Sequence, residues 1–195
     1  VDGIELNYQV NYLAPFLLTE MLLPSLHETA RIVHVSSSMH YFGSVDRMAY
    51  SKEVKNIHPG GLQSLPFVGV YFRYSDTKLF QVIYTQELNK RLNGSGMVVN
   101  VVHPGFVISD FDSGLGGGLM TKVMAHVRRI LARSTVDGAI SQVTVATHPE
   151  FSVGGRYYED RCIMSGCKGC FFCEEAGGVS ARSIASDAAT QKWLI

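Results

Sequence analysis

The sequence predicts an α/β chain, a parallel sheet flanked by helices. Two short β-branched runs, Arg31 to Ser36 and Met97 to Val102, read as buried strands. Apolar residues recur at helical spacing from Asp2 to Pro24, from about Val70 to Leu92 and from Thr135 to Thr147. Strand and helix patterns therefore alternate, the arrangement of units that build a parallel sheet.

Composition bounds the rest. A length of 195 residues allows one domain with ample sequence for a single core. Apolar residues make up 46% and charged residues 17%, so the chain is globular and not disordered. Seventeen basic and seventeen acidic residues cancel, and no aromatic-basic patch points to nucleic acid. No run of eighteen uninterrupted apolar residues occurs. The segment nearest that length, Leu13 to Leu26, carries Glu20 and prolines, so no transmembrane span is expected within these residues.

The first helix shows Leu6, Val10, Leu13, Phe16, Leu17, Met21 and Leu22 at helical spacing, with a kink or break at Pro15 and a stop at Pro24. After the strand ending at Ser36, residues 39 to 70 form a long connection containing Pro59, Gly60, Gly61 and Pro66. The helix from Val70 to Leu92 is supported by Glu87 and Arg91 as an i,i+4 pair, with Gly94 as its cap. Beyond the second strand, Asp110 to Gly118 reads as a flexible lid and Leu119 to Ala132 as an amphipathic helix with a basic edge. That helix either covers the site or touches a membrane surface. A helix from Thr135 to Thr147, a short strand around Gly155 to Tyr158 and a last helix from Ala181 to Trp193 complete the set.

Tyr74 and Lys78 carry the chemistry. Four residues apart on a helix, they share a face, which brings the ammonium near the phenol. A free tyrosine has a pKa near ~10, and a neighbouring positive charge is expected to lower it toward a working acid/base. Upstream lie Asn11 and the hydroxyls Ser36, Ser37 and Ser38; downstream, the second strand runs into His103, Pro104 and Gly105, followed by Ser109.

This ordered set resembles the short-chain dehydrogenase/reductase family, from Asp2 to about Trp193. The phrases Asp2-Gly-Ile-Glu-Leu, Thr85-Gln-Glu-Leu-Asn-Lys-Arg-Leu and Gly154-Gly-Arg-Tyr-Tyr are similar to its retinol-dehydrogenase-like branch, as is the long spacer between Ser37 and Tyr74. The resemblance implies a Rossmann-type, doubly wound sheet and an NAD- or NADP-dependent interconversion of a carbonyl and an alcohol, on an apolar substrate such as a retinoid, steroid or lipid aldehyde. It implies Tyr74 as the acid/base, Lys78 as the group that lowers its pKa and holds the nicotinamide ribose, Ser37 as the hydrogen-bond partner of the substrate oxygen, and Asn11 as the anchor of a relay water. Pro104, Gly105, Val107 and Ser109 would border the nicotinamide. Ser36 is nearly as good a candidate as Ser37. Thr77 stands where the family usually has serine, and Ala14-Pro15 replaces a more usual Gly-His.

The glycine-rich pyrophosphate turn of such a fold is not found here. Gly114 to Gly118 ends in Leu119 where G-x-G-x-x-G needs glycine, and it does not follow a first strand. The chain, which begins at Val1, therefore reads as a single partial domain over residues 1–195, with roughly a hundred residues expected on its N-terminal side. Alone it is expected neither to bind NAD(P)H nor to turn over. NAD against NADP, membrane attachment at the endoplasmic reticulum through preceding residues, and homodimerisation stay open.

Two rival signals remain. Cys162, Cys167, Cys170 and Cys173 lie in one loop, residues 159–180, and four thiolates so close match zinc or iron-sulfur ligation. The spacing lacks paired C-x2-C knuckles separated by a loop, so reduced thiols are the simpler reading. A non-catalytic binding or scaffold protein on the same fold, with a metal at this loop, is the alternative function. A serine hydrolase is disfavoured because Ser36 and Ser37 have no flanking G-x-S-x-G elbow. His34 and His103 read as structural, and His40 as a residue reaching the pocket rim. Asn93-Gly94-Ser95 matches a glycosylation sequon but reads better as a helix end.

Overall fold

A computed structural model of the chain describes residues 4–45, 66–107 and 134–159. Strands β1 (Arg31–Val35), β2 (Val98–His103) and β3 (Tyr157–Glu159) form a parallel sheet in the order β1-β2-β3. The helices are α1 (Leu6–Tyr8), α2 (Ala14–Leu22), α3 (Pro66–Arg91) and α4 (Thr135–Thr147).

β2 lies between the other two strands and is buried on both faces, which is why it reads as an almost unbroken valine run. Side chains alternate across a strand. Val99 packs with Leu79, Phe80, Ile83 and Leu88 of α3, and Val101 with Val82, while Val102 packs with Val145 of α4. Asn100 interrupts the run without remaining unsatisfied. Its amide donates to the Phe151 carbonyl at 3.1 Å, and its Oδ1 accepts from the Arg156 N–H at 3.0 Å, so it ties the approach to β3 onto the sheet.

The N-terminal helix differs from the sequence expectation in two ways. It is broken by a π-turn at Gln9–Leu13, after which Pro15 sits in the first turn of α2, where its missing N–H is harmless. Nor do the aliphatic residues face the core: Leu6 is 71% and Met21 70% exposed. The packed face is aromatic. Tyr12 meets Phe80 at 5.4 Å between ring centroids, and Phe16 meets Tyr84 at 4.9 Å. Tyrosine counts as half-polar in a periodicity, yet its ring buries a large area.

α3 begins at Pro66, four residues before the expected start, because proline suits a first turn. The expected Glu87–Arg91 ion pair is not made. Glu87 pairs with Lys90 at 3.3 Å, whereas Arg91 reaches across to both carboxylate oxygens of Glu20 at 2.8 and 2.9 Å. A two-pronged guanidinium contact outcompetes a single one along the helix. Gly94 has φ +85°, the left-handed conformation expected of a residue just past a helix end. α4 has the expected bounds, and each strand differs from expectation by a residue or two at its ends.

Candidate active site

Ser37 follows β1 and Pro104-Gly105 follow β2, at the carboxyl ends of parallel strands where open α/β sheets bind ligands. Gly105 has φ +80°, which a side chain disfavours, so the Pro-Gly turn out of β2 needs glycine. Val107 packs so closely on Gly138 of α4 that a Cβ there would come within 2.5 Å of it.

The two candidate serines have different surroundings. The Ser36 hydroxyl is buried and donates to the main-chain carbonyl of Lys78 at 2.8 Å. Ser37 instead caps the 3-10 turn Ser38–Phe42, its Oγ accepting from the Met39 N–H at 3.2 Å, and makes a side-chain hydrogen bond with Tyr74. The structure therefore brings Ser37, not Ser36, to the phenol.

Lys78 is 9% exposed, and burial lowers its pKa to about 8. Its ammonium donates to the Val35 carbonyl at 2.9 Å and to the Gln81 Oε1 at 3.1 Å, and it lies 5.5 Å from the centre of the Tyr74 ring. The sequence expectation of a lowered tyrosine pKa is reversed in this structure. Burial holds the Tyr74 phenol above its ordinary range, and the hydrogen bond from Ser37 only partly offsets that. Desolvation of the phenolate outweighs an ammonium that already has two other acceptors.

Asn11 sits within the π-turn, a distortion that interrupts the i→i+4 ladder and often marks functional sites. Its side chain donates to the Thr77 hydroxyl at 3.4 Å, and that hydroxyl donates to the Tyr74 carbonyl at 2.7 Å. Thr77 thus has a place in the site, joining Asn11 to the helix turn that carries Tyr74. The Asn11 carbonyl accepts from the Gln81 Nε2.

Three residues near the site belong to no motif, and the sequence offers a signal for His40 alone. Gln81 joins Asn11 to Lys78. Asp76 accepts the Ser44 N–H at 2.8 Å and holds the far side of the serine turn against α3. His40, expected at the pocket rim, is only 1% exposed. Its Nδ1 donates to the Ser37 carbonyl at 2.7 Å, and its ring lies 4.1 and 4.5 Å from the rings of Tyr41 and Tyr157. Its Nε2 has no hydrogen-bond partner among the described residues, and burial lowers its pKa. Spacing from Ser37 was the one signal for His40; the contacts of Gln81 and Asp76 depend on elements distant in sequence.

Ser109, Cys162, Cys167, Cys170 and Cys173 lie outside the described residues, as do the glycine cluster and the helices expected at 119–132 and 181–193. Among the described residues, no group of three or more His, Cys, Asp or Glu side chains could hold a metal, and no helix is long and apolar enough to cross a membrane.

Comparison with protein-family models finds no match. Among curated proteins, the chain is 34% identical to retinol dehydrogenase 14 of Homo sapiens over 163 residues, covering 82% of this chain and 45% of that protein. It is 41% identical to retinol dehydrogenase 11 of Homo sapiens over 111 residues, covering 56% of this chain and 31% of that protein. The chain thus spans less than half the length of these curated relatives. Among solved structures, it is similar to an uncharacterised protein from Mycobacterium paratuberculosis, with TM-score 0.53 and 25% identity over 82% of this chain and 47% of the other. A dehydrogenase/reductase from Sinorhizobium meliloti shares the fold, with TM-score 0.50 and 21% identity over 77% of this chain and 50% of the other.

Proposed function

From the place of this chain in the retinol-dehydrogenase-like branch of the short-chain dehydrogenase/reductase family, we propose that it forms the proton-transfer side of an NAD(P)-dependent oxidoreductase acting on a carbonyl or alcohol. The observation that carries the reading is the convergence of Ser37, Tyr74 and Lys78 at the carboxyl end of β1. Bound beside them, a nicotinamide cofactor supplies or accepts the hydride. Lys78 keeps one donor beyond the two it spends on Val35 and Gln81, which suits a ribose hydroxyl, and the Pro104-Gly105 turn lines the same end of the sheet. In the reduction direction Tyr74 protonates the developing alkoxide, a step that a phenol held above its ordinary pKa performs as an acid. Ser37 steadies the same oxygen through the transition state. The substrate is an apolar aldehyde, ketone or alcohol of the retinoid, steroid or lipid class, and of these the names of the curated relatives support the retinoid.

Tyr74→Phe in the full-length protein tests this, with reduction of an apolar aldehyde followed through NADH and NADPH oxidation. The expected loss is about 10²–10⁴-fold in turnover, the usual contribution of a positioned acid/base. Undiminished turnover removes Tyr74 from that role.

A further inference from the structure

We propose that Gln81 is a positioning residue of this site, its side-chain amide fixing the Lys78 ammonium and tying it to the main-chain carbonyl of Asn11. The proposal deepens the reading of Tyr74 and Lys78 as a proton-transfer pair and rests on it for its functional meaning. Gln81 lies one turn beyond Lys78 on α3, so the two side chains share a face. Gln81 is 7% exposed, and its amide has a donor at one end and an acceptor at the other.

The orientation of that amide is forced. Lys78 offers only donors, and the Asn11 carbonyl only accepts. Oε1 must therefore face the ammonium, at 3.1 Å, and Nε2 must face Asn11. Reversing the amide would set N–H against N–H on one side and oxygen against oxygen on the other. The π-turn at Gln9–Leu13 presents the Asn11 carbonyl, and α3 presents Lys78; Gln81 spans them as a fixed bridge.

The consequence is specific to a chain with glutamine at this position. A water anchored on the Asn11 carbonyl would be free to exchange and reorient. The amide holds one arrangement, so the Lys78 side chain is steadied from two sides, by the Val35 carbonyl and by Gln81. The contact favours the charged form of a lysine that burial otherwise discourages.

The test reads Lys78 directly. In the full-length protein labelled with [13C]lysine, and with Lys78→Met to assign the resonance, the Lys78 ammonium is titrated by NMR in the native protein and in Gln81→Glu, Gln81→Met and Gln81→Asn. Gln81→Glu places a carboxylate where Oε1 lies and should raise the Lys78 pKa by at least about one pH unit. Gln81→Met removes an acceptor and should lower it. Gln81→Asn is one methylene too short to span both partners and should also lower it, which keeps the test intact if the methionine variant does not fold. Displacements of opposite sign support the bridge, and the alkaline limb of the pH–rate profile should move with them. Unchanged titration in all variants, or displacement in one direction for all, overturns it. Because the titration needs no turnover, it can succeed where Tyr74→Phe fails, and the two readings are separable.

Discussion

The Ser36 hydroxyl donates to the main-chain carbonyl of Lys78 at 2.8 Å, so the first serine of the run joins strand to helix while the second is left for the site. Ser37→Ala should lower turnover by about 10²-fold or more, as expected for a group that stabilises charge in the transition state, and should cost about 1 kcal/mol of stability through the lost cap on the Met39 N–H. Ser36→Ala should cost a similar amount of stability, about 1 kcal/mol for a buried hydrogen bond, while keeping most of the turnover. Denaturant unfolding and steady-state kinetics on both variants separate the roles.

His34 is buried in β1, with its Nδ1 2.8 Å from the Thr85 hydroxyl and its ring 5.3 Å from that of Tyr84. Burial lowers its pKa to about 4. Between the unfolded value near ~6.5 and this folded value, the unfolded chain binds a proton that the folded chain refuses. Stability should therefore fall as pH drops through that window. His34→Gln should lose less stability than the native protein between about pH 7 and 5, by about 1 to 2 kcal/mol in matched urea unfolding curves. Parallel curves for the two proteins would exclude His34 as the titrating group.

Tyr84 joins two kinds of interaction, its ring packed on Phe16 and its hydroxyl donating to Glu20 at 2.9 Å. The Glu20 carboxylate also takes both prongs of Arg91, which holds its pKa below the usual range. Because the ion pair is partly exposed, Arg91→Ala should cost no more than about 1 kcal/mol. Tyr84→Phe should cost a similar amount, about 1 kcal/mol, and Tyr84→Ala about 3–5 kcal/mol. Thermal unfolding of the three variants checks whether packing dominates at this contact.

Gly43 has an ordinary φ of −71°, so space and not backbone conformation demands glycine there. A Cβ would lie 2.6 Å from the Leu79 Cβ and 2.7 Å from the Ser75 carbonyl oxygen. Gly43→Ala should push the serine turn away from α3, with about 1–3 kcal/mol of destabilisation from overpacking. Since Ser37 and Tyr74 stand on the two sides of that contact, turnover should fall as well, with KM less affected than kcat. Retained stability and turnover would show that the turn shifts freely.

The α/β class, the parallel strands and the bounds of α4 follow from patterns a few residues long, because β-branched runs and helical apolar spacing are local properties. So does the order of Asn11, Ser37, Tyr74 and Lys78 along the chain. What the sequence could not decide is anything that depends on which distant groups meet. Apolar spacing in the first helix marked Leu6, Phe16 and Met21 alike, but Phe16 found Tyr84, and Tyr12, outside that pattern, found Phe80, while Leu6 and Met21 stay exposed.

The same division runs through the site. By itself, the sequence determined that a phenol and an ammonium share one helical face, since i,i+4 geometry requires nothing beyond the helix. Only the tertiary structure decided which serine reaches the phenol, that burial raises the Tyr74 pKa where adjacency to Lys78 suggested lowering, and that Gln81 ties Lys78 to Asn11. Desolvation and hydrogen-bond choice are set by neighbours up to 70 positions away, as for Gln81 and Asn11, and those neighbours are fixed only when the helices pack against one another and the sheet.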